Sequence, residues 1–492
     1  MTKKHVVICL GSGWGFRSFV QTDALPRLRE WARVTLLCAP GLRHGLEALV
    51  DPDVAVEEMA PFSLETSRYL RSYERRNCHF HRVSRTATRE FKAAEARARG
   101  RRTVMRRIYG VLLRLDARRA SAASMARLMD REAELFRQEW PEVAEYYGEH
   151  FRRMEPDLIV STTPHQSMEA PAILIARHMG IASVCWVTSW DNLTSKPAPF
   201  ARYDGYLVWS DRMAAELERY YPESRGMPVE VTGPPQFDWY RQSESVVSRE
   251  SFCASLMLDP GRPILFYGAC TPSLFYTEHL LVDRLARAAN ARELPEEAQL
   301  IVRLHPGDGT GGRWWDVPRG VAVRFQTPGE AGRGELSSFI PTEEENREFV
   351  NALAHSAVVL NAASTISLDA CALDRPVVNV GFDPSPDRLY QERLQHYYYT
   401  YDHYRTVTES GAVRIARTYD ELIDEVAAYI DDPSQDRQER AKLLSLWCGE
   451  VDGRAAERVA EALRRFSTNR THGSRSSPAM SDLGKASALP HG

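Results

Sequence analysis

Residues 5–10 read HVVICL, an apolar run that ends where the glycine-rich loop GSGWG (11–15) begins. A helical pattern follows over residues 16–33, and a second apolar run, VTLL, occupies 34–37. The order strand, loop, helix, strand is typical of a parallel α/β sheet, because the helix carries the chain back to start a strand in the same direction. The opening of the sequence therefore predicts an α/β fold.

The same alternation continues along the chain on both sides of a central crossing. After a helical stretch rich in Arg, Ala and Glu, further strands are predicted at 157–161, 182–187, 205–209 and 229–232. A second series is predicted at 263–267, 299–304, 321–325, 358–360 and 376–380. A chain of 492 residues exceeds the size at which one core keeps growing, so two domains are expected.

We therefore divide the sequence into two Rossmann-like domains with parallel sheets and two further segments. The N-terminal domain spans 1–238 and carries a helical insertion at about 63–150. The C-terminal domain spans 239–435, and a helical segment follows at 436–466. The tail 467–492 is too poor in apolar residues to order itself.

Composition excludes several classes of protein. The chain has 63 basic and 66 acidic residues, and a formal net charge of −3 argues against nucleic acid as the main partner. The first apolar run has about five residues, fewer than the ~7–15 of a secretion signal. No run approaches the ~18 apolar residues of a membrane span. The eight cysteines lack Cys-x-x-Cys spacing, which is typical of buried thiols in a reducing compartment. We expect a cytoplasmic protein.

The glycine-rich loop 11–15 has two interpretations. Backbone N–H groups between a strand and a helix can bind an anion, and Gly13 and Trp14 would then border a cleft on its acceptor side. Alternatively, the glycines only allow a tight turn with close packing. Position 16 is Phe, so the GxGxxG fingerprint is absent, and the second strand ends in Ala39-Pro40 without an acid to hold a ribose. A dinucleotide oxidoreductase is therefore disfavoured.

The loop TSWDNLTSKP (188–197) follows a predicted strand, and ligands in open α/β sheets bind beyond the carboxyl ends of strands. Asp191 is the first candidate for a general base. We expect three of its neighbours to line the cleft, namely Trp190, Asn192 and Lys196. The alternative is an Asx-type turn that Asp191 and Asn192 cap.

A second candidate for the base lies after the preceding strand. His165 is part of the loop TTPHQ (162–166), which we expect to line the same crevice. A lone histidine is more often structural or exposed to solvent than catalytic, so His165 ranks behind Asp191.

In the second half, two strand ends carry residues suited to phosphate. Arg303 and His305, in RLHP (303–306), are expected to bind a diphosphate. Ser364 and Thr365, in NAAST (361–365), precede a predicted helix, where hydroxyls beside free N–H groups suit a donor phosphate. The alternative is a plain helix N-cap.

Three other patterns bear on metal binding and on membrane contact. Asp51-Pro52-Asp53 is interpreted as a turn, and ligand-type residues at 78–81 cannot converge on one metal from a helix, so no metal site is predicted. The segment 82–119 has far more basic than acidic residues. It is either a solvated helical face or a surface that docks on anionic lipid, with Val111, Leu112 and other apolar residues opposite the charges.

These motifs resemble those of the bacterial glycosyltransferase-B proteins of surface-polysaccharide assembly, a group with an SWDNLTSK-type loop. CDP-glycerol glycerophosphotransferases and UDP-N-acetylglucosamine 2-epimerases are more distant relatives. The resemblance spans residues 157 to about 460 and leaves out 63–150. It is carried by SWDNLTSK (189–196), TGPPQFD (232–238), LHP (304–306), STISLDA (364–370) and DGRA (452–455).

The resemblance implies two facing Rossmann-like domains, with a nucleotide-diphosphate sugar bound mainly by the C-terminal domain. Asp369 joins the donor-binding residues on this ground. The acceptor, a saccharide or a lipid-linked molecule, would bind the N-terminal domain, and neither a cofactor nor a metal is implied. Residues 362–365 read AAST, where polyol-phosphate transferases usually have acid-rich Asp-Tyr-Ser-Ser, and this difference favours glycosyl transfer.

We therefore predict a glycosyltransferase of cell-envelope polysaccharide biosynthesis, in the cytoplasm or peripheral at the inner face of the cell membrane. The alternatives are a CDP-polyol phosphotransferase-like enzyme and a UDP-N-acetylglucosamine 2-epimerase-like enzyme, although the catalytic acids of the epimerases have no clear counterparts here. A catalytically silent binding or scaffold protein of an assembly complex is the alternative from another class. Donor binding without turnover would favour that last alternative.

Overall fold

The computed structural model describes residues 3–65, 67–83, 111, 112, 115, 121–242, 245–308, 312–328 and 341–468. This part of the chain forms two β-sheets whose strands all run parallel. Helices cover both sheets, so their central strands are buried on both faces and read as apolar runs. The predicted α/β class is confirmed.

The first sheet has the strand order β3-β2-β1-β4-β5-β6-β7 within the described residues. Its strands are β1 (Lys4–Leu10), β2 (Ala32–Cys38), β3 (Ala55–Glu58), β4 (Leu158–Ser161), β5 (Ala182–Trp186), β6 (Gly205–Val208) and β7 (Val229–Val231). The side chains of Cys9, Cys38 and Cys185 are buried in these strands, as expected for small core residues.

The second sheet has the order β10-β9-β8-β11-β12-β13 within the same residues. Its strands are β8 (Ile264–Gly268), β9 (Gln299–Arg303), β10 (Val323–Gln326), β11 (Val358–Asn361), β12 (Val377–Val380) and β13 (Arg414–Ala416). The edge strand β13 was not predicted, because its sequence Arg-Ile-Ala has a single β-branched residue, whereas the equally short β7 reads Val-Glu-Val.

Each sheet reverses its winding direction beside its first strand. In the first sheet β1 lies between β2 and β4, and in the second β8 lies between β9 and β11. The connections leave such a point in opposite directions, so a crevice opens beyond the carboxyl ends of the two strands there. The loops at these switch points are 11–15 and 162–166 in the first sheet, and 269–271 and 362–365 in the second.

The helices of the first half are α1 (Gly13–Phe19), α2 (Ala24–Trp31), α3 (Arg43–Glu47), α4 (Arg68–Val83), α5 (Ala122–Glu139), α6 (Pro141–Met154), α7 (Ala170–His178), α8 (Asn192–Ser195) and α9 (Asp211–Tyr220). The single helix predicted over 16–33 is wrong. The Thr22 hydroxyl donates to the Ser18 carbonyl at 3.0 Å and accepts from the Ala24 N–H at 3.3 Å, which separates α1 from α2.

The helices α4 to α6 of the predicted insertion are part of the first half's core. Phe136, Tyr147 and Phe151 are fully or almost fully buried in the main apolar cluster. The buried Arg76 pairs with Glu132 at 3.1 Å, which joins α4 to α5, and it also donates to the Pro199 carbonyl at 2.6 Å. The helical stretch is therefore fixed to the loop that follows the predicted cleft residues.

The predicted lipid-docking segment 82–119 lies almost wholly outside the described residues. Of its apolar residues that the structure describes, Val111, Leu112 and Leu115 are each at least half exposed. No helix in the described ranges is long and apolar enough to cross a membrane.

The helices of the second half are α10 (Arg249–Ser255), α11 (Pro272–Phe275), α12 (Glu278–Ala291), α13 (Glu343–Ala354), α14 (Ile366–Ala372), α15 (Gln391–Thr400), α16 (Asp402–Glu409), α17 (Tyr419–Asp431), α18 (Arg437–Cys448) and α19 (Ala455–Thr468). The predicted helical segment 436–466 is thus a pair of helices. Its second helix extends to Thr468, two residues into the predicted tail, because Ser467 still faces the core.

The last helix returns to the first half. Ala456, Val459 and Leu463 of α19 belong to the same apolar cluster as β1 and β2. The Asp238 carboxylate, in the crossing between the halves, accepts from the N–H of Ala455 at 3.0 Å, and a second bond from Ala456 measures 2.8 Å. This carboxylate therefore caps α19 and ties the chain's end to the crossing.

Candidate functional site

A hydrogen bond joins the two predicted halves of the site. Trp190 follows β5 in the first half, and its indole N–H donates to the Thr365 hydroxyl, which precedes α14, at 3.1 Å. The Trp190 side chain is 2% exposed. The structure thus brings a predicted cleft residue into contact with a predicted donor-binding residue 175 positions later in the chain.

Aromatic rings of the second half enclose Trp190. Its ring centroid lies 4.9 Å from that of Trp447 and 5.1 Å from that of His403, both at steep angles, and 6.0 Å from that of Tyr404. Edge-to-face contacts of this kind hold a ring in one orientation. Helices α16 and α18 therefore fix the tip of the 188–197 loop.

Asp191 holds two serine side chains. Its carboxylate accepts from the hydroxyls of Ser189, at 2.6 Å, and Ser195. Burial alone would raise the pKa of this carboxyl, but Lys196, His403 and the two hydroxyls outweigh burial and hold the pKa below its usual value. The side chain makes no capping bond to α8, so the turn-capping alternative does not describe it. Asp191 is ionised at neutral pH.

Two histidines, the half-buried His165 and the buried His403, lie beside this carboxylate. His165 donates from Nδ1 to the Pro197 carbonyl at 2.7 Å, and its Nε2 has no partner in the described part of the chain. His403 is 2% exposed, and its Nδ1 likewise has no partner there. Burial lowers the pKa of each to about 4, so both rings are neutral at pH 7. Buried polar atoms are normally paired, so these nitrogens are suited to meet a ligand.

His403 was not a sequence candidate. It lies on α16 within a tyrosine-rich stretch at 397–404 that reads as core, and nothing in its spacing connects it with the 188–197 loop. Tertiary packing alone places it there.

The loop 361–365 is held by neutral side chains. The Ala363 N–H donates to Asn379 Oδ1 at 3.1 Å and to the Tyr398 hydroxyl at 3.0 Å. The Ser364 N–H donates to Asn361 Oδ1 at 3.2 Å. Ala363 has a φ of 46°, in the left-handed region that strains a non-glycine residue and often marks a ligand loop.

Two hydroxyls of this loop have distinct partners. Ser364 Oγ accepts from the Ile366 N–H at 3.3 Å, whereas Thr365, the N-cap residue of α14, makes no side-chain capping bond. Thr365 Oγ1 accepts from Trp190 instead. Donor binding by Ser364 and Thr365 stays a prediction.

A carboxylate fills the corresponding place in the first half. Glu169, which is 1% exposed, accepts from the N–H groups of Gly11 at 2.7 Å and Thr163 at 3.0 Å, and from the Ser161 hydroxyl at 2.6 Å. Burial raises its pKa. A Cβ on Gly11 would lie 2.6 Å from Thr163 Oγ1, so this glycine is required by close packing. Packing was one of the two interpretations of the loop.

The remaining loop residues are placed as follows. Gly13 is buried at the start of α1, and the side chain of Trp14 lies outside the described residues. Asn192 is buried, and Lys196 is exposed beside Asp191.

Asp369 faces the first half. It lies four residues after Thr365, so the two share one face of α14. Its carboxylate accepts from the Tyr240 hydroxyl, in the crossing, at 2.7 Å. Burial raises its pKa to about 6, although Arg17 and Tyr240 act in the opposite direction. Its predicted contact with the donor stays a prediction.

Arg303 and His305 lie at the end of β9, which β8 separates from β11. Arg303 donates to Gln326 Oε1 and to the Glu345 carbonyl, both at 3.2 Å. His305 accepts from the Gly307 N–H at 2.9 Å, and burial lowers its pKa to about 4. The two residues therefore border a neighbouring strand end, and their role as donor ligands stays a prediction.

Metal-ligand residues do not cluster in the described ranges. Asp51 accepts from the Asp53 N–H at 3.0 Å, which is the predicted turn.

Comparison with known proteins supports the architecture. The sequence profile of the CDP-glycerol:poly(glycerophosphate) glycerophosphotransferase family matches residues 344–465, less than half of the chain. No curated protein matches by sequence.

Solved structures resemble nearly the whole chain at low identity. A candidate UDP-N-acetylglucosamine 2-epimerase from Listeria monocytogenes gives a TM-score of 0.54 at 13% identity, over 95% of this chain and 98% of its own. The UDP-GlcNAc 2-epimerase from Neisseria meningitidis bound to UDP-GlcNAc gives 0.51 at 11%, over 94% and 100%. A glycosyltransferase from Rickettsia africae gives 0.50 at 9%, over 95% and 100%. These similarities confirm the predicted two-domain architecture.

Proposed function

We propose that this protein is a glycosyltransferase that moves a sugar from a nucleotide-diphosphate sugar to a saccharide or lipid-linked acceptor of the cell surface. One observation carries the proposal. The bond from Trp190 to Thr365 joins the predicted acceptor loop to the predicted donor loop, beside an ionised Asp191 and two unpaired imidazole nitrogens. A cluster of this kind between two facing sheets suits group transfer between two bound substrates.

The charge of the groups around the two switch-point loops favours the second half as the binding site of the donor phosphates. Glu169 already supplies a negative group to the switch-point loop of the first half. The loop 361–365 receives neutral oxygens from Asn361, Asn379 and Tyr398. An anionic diphosphate avoids a buried carboxylate and is better accommodated beside neutral dipoles, so we place it at Ser364 and Thr365, with His305 nearby.

Asp191 takes the acceptor's proton in this proposal. As the acceptor oxygen bonds to the anomeric carbon of the sugar, the bond from that carbon to the β-phosphate oxygen breaks. The diphosphate leaves with the electron pair, and the hydroxyl proton passes to the Asp191 carboxylate. His165 is the second candidate for this base. Fixed dipoles around 361–365 stabilise the leaving diphosphate in place of a metal, and closure of the two halves excludes water.

The finer assignment to surface-polysaccharide assembly rests on the sequence resemblance. A location in the cytoplasm or at the inner face of the cell membrane rests instead on the cysteine pattern and on the excess of basic residues in segment 82–119, which would contact anionic lipid.

A second candidate function is transfer of a phosphopolyol from a CDP-polyol. It is favoured by the match of residues 344–465 to the glycerophosphotransferase family. The two candidates differ in the donor, so a ligand panel separates them.

The test is a thermal-shift panel of UDP-, GDP- and dTDP-sugars and CDP-glycerol on the full chain, since a bound ligand raises the melting temperature. The donor should raise the melting temperature more than the other ligands of the panel do. Joint Ser364→Ala and Thr365→Ala substitution should weaken its binding by about 1–3 kcal/mol, the scale for hydrogen bonds to charged groups.

Thr418→Ala is the matched control, because the Thr418 hydroxyl caps α17 elsewhere in the second half. It should lower the melting temperature and leave ligand affinity unchanged. Unaltered affinity in the Ser364/Thr365 double variant would move the donor site away from this loop. Donor binding without turnover on any acceptor would favour the scaffold alternative.

A further inference from the structure

Arg17 is a partly buried cation without hydrogen-bond partners in the described part of the chain. It lies on α1, just after the glycine-rich loop. Its guanidinium carbon is 5.5 Å from the ring centroid of Trp239, in the crossing, and 5.8 Å from that of Phe349, on α13 of the second half. Its Nε is shielded from solvent and has no acceptor there. The group therefore lies between the halves with its donors unused.

A second guanidinium approaches the same ring from the second half. The guanidinium carbon of Arg303 lies 5.1 Å from the Phe349 ring centroid. Burial lowers the pKa of Arg303 to about 10, and the positive charge of Arg17 acts in the same direction. Two like charges thus lie beside one ring, both on part-buried side chains, and their repulsion costs free energy unless an anion is present.

The nearby carboxylates leave Arg17 poorly compensated. Glu345 and Glu348, on α13, face Arg303 and favour its charged form. Asp369 is the carboxylate that attracts Arg17, and it is engaged by the Tyr240 hydroxyl. Because burial raises the pKa of Asp369 to about 6, its negative charge is itself disfavoured there.

Three deeply buried arginines elsewhere in this protein have acceptors for all their guanidinium nitrogens, whereas Arg375 and Arg405, like Arg17, have an Nε without a hydrogen-bond partner in the described ranges. Arg76 donates to Glu132 and to the Pro199 carbonyl, and Arg440 donates to Asp374 and to the Gln435 carbonyl. Arg313 bonds both Asp308 and Glu278. Hydrogen bonding within the protein therefore accounts for the burial of Arg76, Arg440 and Arg313. Arg17 packs between two aromatic rings but has no hydrogen-bond acceptor in the described part of the chain.

We propose that Arg17 and Arg303 form a phosphate-binding site that links the two halves of the molecule. A guanidinium offers paired donors in one plane that match phosphate oxygens, and flanking rings hold the plane in place. The site deepens the proposed function and rests on it for the source of the phosphate. That source is either the diphosphate of the donor or the phosphate of a lipid-linked acceptor.

The test is calorimetric titration of the full chain with inorganic pyrophosphate, UDP and CDP. The variants are Arg17→Met, which keeps the length and removes the charge, and Arg17→Lys, which keeps the charge. Arg219→Met is the matched control, because Arg219 also packs over a ring, that of Tyr220, at 5.1 Å. Melting temperatures of the unliganded proteins are measured alongside.

Arg17→Met should weaken pyrophosphate binding about ten- to a hundredfold, the worth of hydrogen bonds to a charged group. Arg17→Lys should fall between Arg17→Met and wild type, and Arg219→Met should match wild type. The unliganded Arg17→Met protein should melt at or above the wild-type temperature, because a repulsive, unsatisfied cation has been removed.

Two comparisons identify the source of the phosphate. An equal loss of UDP or CDP affinity in Arg17→Met assigns the phosphate to the donor. A loss for pyrophosphate alone assigns it to the acceptor. Pyrophosphate affinity equal to wild type in Arg17→Met overturns the proposal, and a lower melting temperature with unchanged affinity makes Arg17 structural. Failure of the wild-type protein to bind any nucleotide contradicts the proposed function, while a pyrophosphate site that depends on Arg17 still stands.

Discussion

The two sheets present switch-point loops of the same topology and fill them with different chemistry. In the first sheet the Glu169 carboxylate accepts from the backbone of Gly11 and Thr163. In the second, amide oxygens of Asn361 and Asn379 accept from Ser364 and Ala363. The strand order alone would assign an anion to either loop. The comparison teaches that the charge of the internal acceptor decides which loop remains able to receive a phosphate.

The same comparison assigns different roles to the two halves of the molecule. The first half places two carboxyl groups, Glu169 and Asp191, beyond the ends of its own strands, and the second half has neutral groups at 361–365. The Glu278 carboxyl beside the loop after β8 is paired with Arg313. On this basis the first half supplies the base and the second half receives the anion. Substitutions at Asp191, Glu169 and Asn361 test that division, and one at His403 tests the burial of the ring beside Asp191.

The largest expected effect is that of Asp191→Asn. Asparagine is nearly isosteric: its Oδ1 still accepts from one of the two neighbouring serines and its Nδ2 can donate to the hydroxyl of the other, but it cannot take a proton. Turnover should fall by about 10²–10⁴-fold, the usual worth of a positioned general base, while nucleotide affinity and melting temperature stay close to wild type. Steady-state kinetics with the donor found in the panel measure the effect. Near-normal turnover would make His165 the candidate base. The Asp191 carboxylate would then have no part in the assignment of the base to the first half.

The next effect concerns stability. Glu169→Ala leaves two buried N–H groups and two hydroxyls without their acceptor, so it should cost about 3–5 kcal/mol of unfolding free energy. Asn361→Ala, the matched change in the second sheet, removes one accepted backbone bond and should cost about 1–3 kcal/mol. Urea denaturation of both variants gives the comparison. Equal losses would show that the two loops are equivalent despite their different acceptors.

The smallest effect is in the pH dependence of stability. Burial lowers the pKa of His403 to about 4 from its ordinary 6.5, so the unfolded chain binds more protons than the folded one between these values. Stability should therefore be greatest above pH 6.5 and decline as the pH falls towards 4. His403→Gln should make that decline shallower by up to about 1.4 kcal/mol per pH unit.

Urea midpoints at pH 7.5 and pH 5 measure this slope. His44→Gln serves as the control, because the His44 side chain is exposed, and it should retain the wild-type slope. A slope in His403→Gln that equals the wild-type slope would show that the His403 ring is solvated in the folded protein.

The fold was largely predictable, because buried parallel strands read as apolar runs whatever their partners are. The loops of the site were predictable for the same reason, since the carboxyl ends of parallel strands share one edge. Boundaries set by single hydrogen bonds, such as the break at Thr22 between α1 and α2, leave no periodic signal.

The contacts between the halves were not predictable. Trp190 meets Thr365 across 175 positions, so no local pattern records the pair, and the same holds within the second half for Tyr240 and Asp369, which are 129 positions apart. Arg17 resembled any basic residue of a helix until the structure placed it between two rings of different segments. Such residues become candidates only once packing shows which of their donors are used.

The helix α19 has a consequence for how the chain is made. Synthesis runs from the N-terminus, and β1 to β7 leave the ribosome long before Ala456, Val459 and Leu463, which complete their apolar cluster. The first sheet therefore stays uncovered along that face until the whole second sheet has been translated. A nascent chain stalled before residue 455 would expose a strip of core to chaperones and proteases, so the last helix acts as the final step of maturation for the part made first.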